Sequence, residues 1–267
     1  MSSPCAAKYG PWAVIAGASE SVGAALADQL ASQGLNLVLI ARKDTLLKDV
    51  ATEVRERHGV EVRALVLDLT APDVSIRVAE ATGGLDIGLL VYNAGAANRT
   101  VEFLDDSFEQ SLNQIKLACI GPVALTRLFA PGMRERGRGG IVLVGSLACL
   151  AGSYTLTVSS AVHAFHVPLA EGLWAELWPH GVDVVCTPLG KTDTEAMQRM
   201  GVLPDDQTMA PGDVAAEIIE NIGNGPVYVV GESNRAIAAQ IWTVDRRVLV
   251  EMVSAASRHF AEQERNR

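Results

Sequence analysis

The sequence predicts an α/β fold, a doubly wound parallel sheet of about seven strands with helices on both faces. The prediction rests on short Val/Ile/Leu-rich runs without polar alternation, on stretches of helical spacing between them, and on glycines or polar residues where the runs end. Unbroken apolar runs suit strands buried on both faces, as in a covered parallel sheet. Regular alternation of such strands with helices gives right-handed crossovers.

In chain order, the first run is Trp12 to Ala16, followed by the glycine turn Gly17-Ala18-Ser19-Glu20-Ser21-Val22-Gly23 and helical spacing from Ser21 to Gln33. Asn36 to Ile40 leads through Ala41, Arg42 and Lys43 into a helix over Leu46 to His58. Val62 to Leu67 ends at Asp68-Leu69, before a short helix over Asp73 to Ala81. Ile87 to Tyr92 ends at Asn93-Ala94-Gly95, and a long helix is expected over Ser107 to Glu135. Ile141 to Val144 runs into Gly145-Ser146-Leu147, and a helix over Ser159 to Trp178 follows. Val182 to Cys186 and Val227 to Val230 complete the expected sheet, with a helix over Pro211 to Asn221 between them. The tail reads as a helical extension over about 234–263. No Pro/Gly/Ser linker divides the chain, so residues 1–267 are expected to form one domain.

A chain of 267 residues with 49% hydrophobic and 20% charged residues can bury a large core. Its net charge of -9 argues against nucleic acid as a partner and for a small-molecule ligand. Arg134, Arg136 and Arg138 lie beside glycines and read as a solvated loop. Cys5, Cys119, Cys149 and Cys186 show no CxxC spacing, and His163 and His166 lack further ligands, so neither disulfides nor a metal site are expected. The first residues lack a signal-peptide pattern, and no uninterrupted apolar run looks long enough to cross a bilayer. A cytoplasmic protein without membrane contact is expected.

The glycine turn after the first strand presents backbone N–H groups and a helix N-terminus to a phosphate. Asp68-Leu69 and Asn93-Ala94-Gly95 end strands that would line the same crevice. With Gly121-Pro122, Pro131, Gly145-Ser146-Leu147, the block Glu171 to Leu177 and Thr192-Asp193-Thr194, the chain resembles the short-chain dehydrogenase/reductase family over nearly its whole length. The resemblance implies a Rossmann-type fold with a dinucleotide at Gly17, Ser19, Ser21, Val22 and Gly23. It places Asp68 and Leu69 at the adenine, Asn93, Ala94 and Gly95 beside the cofactor, and Thr192 and Thr194 by the carboxamide and pyrophosphate. At the end of the second strand, Arg42 with Lys43 favours NADP(H) over NAD(H), because a guanidinium pairs well with a ribose phosphate. The family's middle glycine is Ser21 here. With a positive φ, serine there costs about 1 kcal/mol and weakens binding.

The resemblance further implies a catalytic serine, tyrosine, lysine and asparagine. Ser146 matches the serine, whereas the tyrosine, lysine and asparagine positions hold Ser159, His163 and Ala118. Loss of positioned acid-base catalysis costs about 10²–10⁴-fold. Tyr154 is a candidate substitute acid, expected to line the substrate pocket. Ser159 and His163, four apart on one helix, form a conceivable serine–histidine pair with Ser146 opposite and Asp193 as the nearest acid by position. Three readings therefore stand: an NADP(H)-binding protein with weak or altered carbonyl/alcohol redox activity, a non-catalytic cofactor-binding scaffold, and a non-redox enzyme using Ser146, Ser159 or His163. Gly145-Ser146-Leu147-Ala148 and Trp174-Ala175-Glu176-Leu177 resemble the branch acting on steroid- or lipid-like substrates. A homo-oligomer is expected through the helices at 107–135 and 159–178.

Overall fold

The structure, a computed structural model, describes residues 4–95, 100–199, 203–241 and 243–265. Among them six strands form one parallel sheet: β1 (Trp12–Ala16), β2 (Asn36–Ala41), β3 (Val62–Val66), β4 (Ile87–Tyr92), β5 (Gly139–Ser146) and β6 (Val182–Leu189). Their spatial order is β3-β2-β1-β4-β5-β6, so the winding reverses between β1 and β4 and opens a crevice at those strands' carboxyl ends. The helices are α1 (Pro4–Tyr9), α2 (Ser21–Ser32), α3 (Asp44–His58), α4 (Val74–Thr82), α5 (Phe108–Ile115), α6 (Gly121–Arg136), α7 (Thr157–Leu177), α8 (Glu195–Arg199), α9 (Pro211–Glu220), α10 (Glu232–Ile241) and α11 (Arg246–Arg265).

Successive strand side chains point to opposite faces, which divides the core in two. Ala13, Ile15, Leu37 and Leu39 meet Leu26 and Leu30 of α2, Leu47 of α3 and Ile218 of α9. Val14, Val38 and Ile40 face the other layer with Val78 of α4, Leu125 and Phe129 of α6 and Ala170 of α7. Each large aliphatic side chain so buried contributes about 1.5–3 kcal/mol.

The seventh expected strand is not a strand. Residues 226–230 do run beside β6: Cys186 donates to the Pro226 carbonyl, Tyr228 donates to Cys186, and Val230 donates to Pro188. Only Val227 forms a bridge, with Cys186. Pro188 has no N–H to continue the ladder, and the pairing stops there.

The long helix expected over Ser107 to Glu135 is broken by a π-turn at Lys116–Ile120. Ser107 caps its start, accepting from the Gln110 N–H at 3.2 Å. Pro122 accounts for the break, since it cannot donate to the Ala118 carbonyl four residues earlier. Gly121 donates instead to Lys116, which also leaves the Leu117 carbonyl without its α-helical donor. Side chains satisfy both acceptors: the Tyr92 hydroxyl donates to Leu117 at 2.5 Å, and His166 Nε2 donates to Ala118 at 2.6 Å.

One further expectation is corrected. Arg136 and Arg138 are clamps and not part of a solvated loop: both pair with Asp86, at 2.7 and 2.8 Å, and each also donates to a main-chain carbonyl, Ile87 or Gly10. By length and composition the rod Phe108–Arg136 could pass for a membrane span, although Lys116 and Arg127 interrupt its apolar run. Its Leu125, Phe129 and Met133 pack beneath the sheet, as in the core helix of a globular domain.

Candidate active site

At the end of β1, Gly17 turns the chain at φ +87, and a Cβ there would stand 2.8 Å from the Ala94 nitrogen. Gly23 brings α2 onto the turn so closely that a Cβ would lie 1.9 Å from the Gly17 carbonyl. Asn93 ties β4 to this turn, donating from Nδ2 to the Gly17 carbonyl at 2.9 Å. Ser21 takes φ +52, the left-handed region that its sequence position foreshadowed. Glu20, the residue before α2, caps no backbone N–H with its side chain, so the helix N-terminus keeps donors for an anion.

This turn forms one end of a cleft of about 980 Å³. Of the residues expected around a dinucleotide, Gly17, Ser19, Ser21, Val22, Arg42, Lys43, Leu69, Asn93, Ala94, Gly95, Thr192 and Thr194 line it. Gly23 serves packing behind the wall. Asp68 also stands back, accepting through Oδ1 from the Thr70 N–H and hydroxyl at 2.9 and 2.8 Å, with Arg42 3.9 Å from its other oxygen. Burial alone would raise its carboxyl, but the bonds from Thr70 and the Arg42 charge outweigh burial and hold it low.

At the other end of the cleft, Ser146 closes β5 and its Oγ accepts from the Ala148 N–H at 3.2 Å. Ser159 and His163 of α7 line the same wall, while Ala118 is buried behind it. His163 is 8% exposed, and its Nδ1 has no hydrogen-bond partner. Burial, with a smaller contribution from nearby His166, pushes its pKa down to about 4, so the imidazole is neutral at pH 7. His166 stands edge-to-face to it, with ring centroids 5.8 Å apart. Because its partner is the Ala118 carbonyl, His166 Nε2 carries the proton. Burial also lowers the His166 pKa, against a partial rise from main-chain carbonyls.

Two expected participants are engaged elsewhere. Tyr154 does not line the cleft: its hydroxyl donates to Glu102 at 2.5 Å, and the Arg258 guanidinium lies 5.1 Å from its ring centre. Asp193 accepts from the Gln198 amide at 2.9 Å, and no bond joins it to His163.

Residues 11–202 match the short chain dehydrogenase family. The chain belongs to that family. This short-chain dehydrogenase is 36% identical over 191 residues to a very-long-chain 3-oxoacyl-CoA reductase of Podospora anserina, across 69% of this chain and 56% of that protein. It therefore spans little more than half the length of that reductase. A 7beta-hydroxysteroid dehydrogenase of Clostridium sardiniense is 28% identical over 264 residues, 95% of this chain and 98% of that one. A short-chain dehydrogenase from Sphingobium yanoikuyae, solved in complex with NADPH, superposes with a TM-score of 0.75 at 29% identity, over 88% of this chain and 97% of that chain.

Sequence reasoning missed several parts of the cleft of this short-chain dehydrogenase. Glu20 accepts from Lys43 at 2.6 Å and from Arg199 at 2.9 Å, and the Ser21 hydroxyl donates to Glu195. Burial works to raise the Glu20 carboxyl, yet the bonds from Arg199 and Lys43 prevail and lower it. The far end is roofed by Ile237 and Ile241 of α10 and by Val253 and Ser257 of α11, over Leu147, Leu150 and Leu156. Ser153 meets Ser257 at 2.5 Å, the Tyr154 N–H donates to Ser254 at 3.0 Å, and Arg246 donates to the Leu150 carbonyl at 2.9 Å. An amphipathic pattern marks α11 as a packed helix, but nothing local in it names the loop it covers.

Proposed function

We propose that the protein binds NADP(H) in this cleft beside a bulky, apolar carbonyl or alcohol compound, and that its redox turnover is weak or altered. The observation that carries the reading is His163: a buried, neutral imidazole stands where the family resemblance places an ammonium, with Ser159 one turn away at the tyrosine position. Support for the cofactor comes from the glycine cradle, from Arg42 at the ribose end and from the NADPH held by the Sphingobium relative. Support for the ligand shape comes from the apolar far end and from relatives named for very long acyl chains and steroids.

The residues divide the work as follows. The turn at Gly17 and the N-terminus of α2 bind the pyrophosphate, and Asn93 keeps the turn seated on β4. Bound, NADPH supplies the hydride. Ser146 offers a hydroxyl to the ligand oxygen, and the α10–α11 roof excludes water from the apolar end. Ser159, an aliphatic hydroxyl, is a far poorer general acid than a phenol while the alkoxide forms, and neutral His163 supplies no charge to help it. The Ala118 carbonyl, already bonded to His166, offers no easy anchor for a water.

A serine–histidine hydrolytic pair is the weaker reading, because Asp193 is bonded to Gln198 and does not orient His163. Self-association is proposed through α5 and α7. Phe108, Ile115 and Phe165 stand exposed there, and α7 is apolar around most of its circumference, a pattern that suits a second copy. Equilibrium sedimentation is expected to show a dimer or tetramer, and a monomer at micromolar concentration would reject it.

The functional test is titration with NADPH and NADH, followed by turnover on a panel of ketosteroids and 3-oxoacyl thioesters. Expected are NADPH binding stronger than NADH binding and turnover far below about 1 per second. Ordinary turnover would overturn the weak-catalysis reading, and absence of NADPH binding would overturn the cofactor reading.

A further inference from the structure

An acidic side chain, Glu20, sits in the middle of the turn that would receive an anion, and it holds two cations that line the same cleft, Lys43 and Arg199. These come from three separate places in the chain: the turn before α2, the end of β2 and the last residue of α8. A second link, from the Ser21 hydroxyl to Glu195, fastens the other end of α8 to the same turn. Glu20 also gives no capping bond to α2, so stabilising that helix does not account for its position. Both of its oxygens are committed, Oε2 to Lys43 and Oε1 to Arg199.

We propose that Glu20 is a built-in competitor for the ribose phosphate of the cofactor: it occupies Lys43 and Arg199 and clasps α8 over the turn until a phosphate monoester takes the two cations from it. This rests on the NADP(H) reading and sharpens it, since it names a specificity-determining residue in addition to Arg42. A phosphate monoester carries about -1.5 to -2 charge at neutral pH and offers three acceptor oxygens. It can displace a single carboxylate from two cations. A cofactor with a bare ribose hydroxyl brings neither charge nor spare acceptors, so it leaves the clasp in place and neither gains nor loses by it. Glu20 thus narrows the preference for the phosphorylated cofactor by making its phosphate displace a carboxylate, while Arg42, 69% exposed at its side chain and 3.9 Å from Asp68, remains available for the first encounter.

The probes are 2′,5′-ADP, which carries the ribose phosphate, and 5′-AMP, which lacks it. Exposed ion pairs are individually weak, so freeing both cations in Glu20→Gln is expected to tighten 2′,5′-ADP about three- to tenfold. Binding of 5′-AMP should change less than twofold, by the same reasoning about exposed pairs. In the ligand-free variant, amide hydrogen exchange across 194–199 is expected to speed up as α8 loses a tether. Arg199→Gln should do the reverse to binding, weakening 2′,5′-ADP and sparing 5′-AMP, which keeps the idea testable if Glu20→Gln folds poorly. Unchanged or weaker 2′,5′-ADP binding in folded Glu20→Gln, or an equal gain for 5′-AMP, would overturn the proposal. If wild type binds NADPH and these results still fail, the clasp alone is wrong. If neither wild type nor Glu20→Gln binds NADPH or 2′,5′-ADP, both the clasp and the cofactor reading fall.

Discussion

Acidification is the perturbation that His163 should report. In the unfolded chain this histidine titrates near its ordinary 6.5, whereas burial beside His166 holds it at about 4 in the folded protein. Between those values the unfolded state binds the extra proton, so stability is complete above the ordinary value and is lost as pH falls. The difference corresponds to about 3 kcal/mol in full, of which about 2 kcal/mol is gone by pH 5. Carboxylates held low, such as Glu20 and Asp68, are common to wild type and any His163 variant, so their contribution cancels in the comparison. Urea unfolding of wild type and His163→Gln at a series of pH values from 7 to 4 therefore isolates the histidine. The expected result is a wild-type stability that falls by about 2–3 kcal/mol more than the variant's over that interval. Parallel curves would refute the reasoning, and so would an imidazole that titrates near 6 in the folded protein by NMR.

Arg42→Ala should lower the NADPH/NADH affinity ratio about tenfold, and the ratio should also shrink with added salt, both read by fluorescence titration. Gly23→Ala is expected to cost about 1–3 kcal/mol in thermal melting and to abolish cofactor binding, because its Cβ would collide with the Gly17 carbonyl. Ser159→Tyr, His163→Lys and Ala118→Asn together should raise ketone reduction above wild type while each single change does little, since a proton relay acts as a unit. A folded, NADPH-binding triple variant that stays inert would show that the pocket has diverged elsewhere.

The strands were legible because burial on both faces leaves an unbroken apolar run, a signal contained within each segment. The turn residues Gly17, Ser21 and Asn93 were legible for a related reason: backbone geometry at a strand end limits which residues fit. What escaped were partnerships across the chain. Glu20 and Arg199 are 179 positions apart, and no local pattern announces their contact. A separation of about fifty positions likewise hid Asp86 from Arg136 and Arg138, whose composition alone suggested a loop. Tyr154 sits in the loop its position indicates, but its hydroxyl is engaged by Glu102 and its ring by Arg258, partners no local pattern announces. Pro188, by contrast, was in plain view at the end of the sixth strand, and its missing N–H could have warned against the seventh.

The roof of the apolar end meets its floor along hydroxyl groups, Ser153 against Ser257 and Ser254 against the Tyr154 main chain. A seam of that kind parts differently from a greasy one. Each hydroxyl exchanges its protein partner for water at a net cost of about 1 kcal/mol, and little apolar area is uncovered until the helix has moved well away. If the apolar end takes the bulky ligand proposed for it, passage requires wetting of the seam, not melting of α11. How long the ligand stays is then governed by its own grip on Leu150, Leu156 and Ile241, so residence time should lengthen with each added methylene while the rate of entry hardly changes.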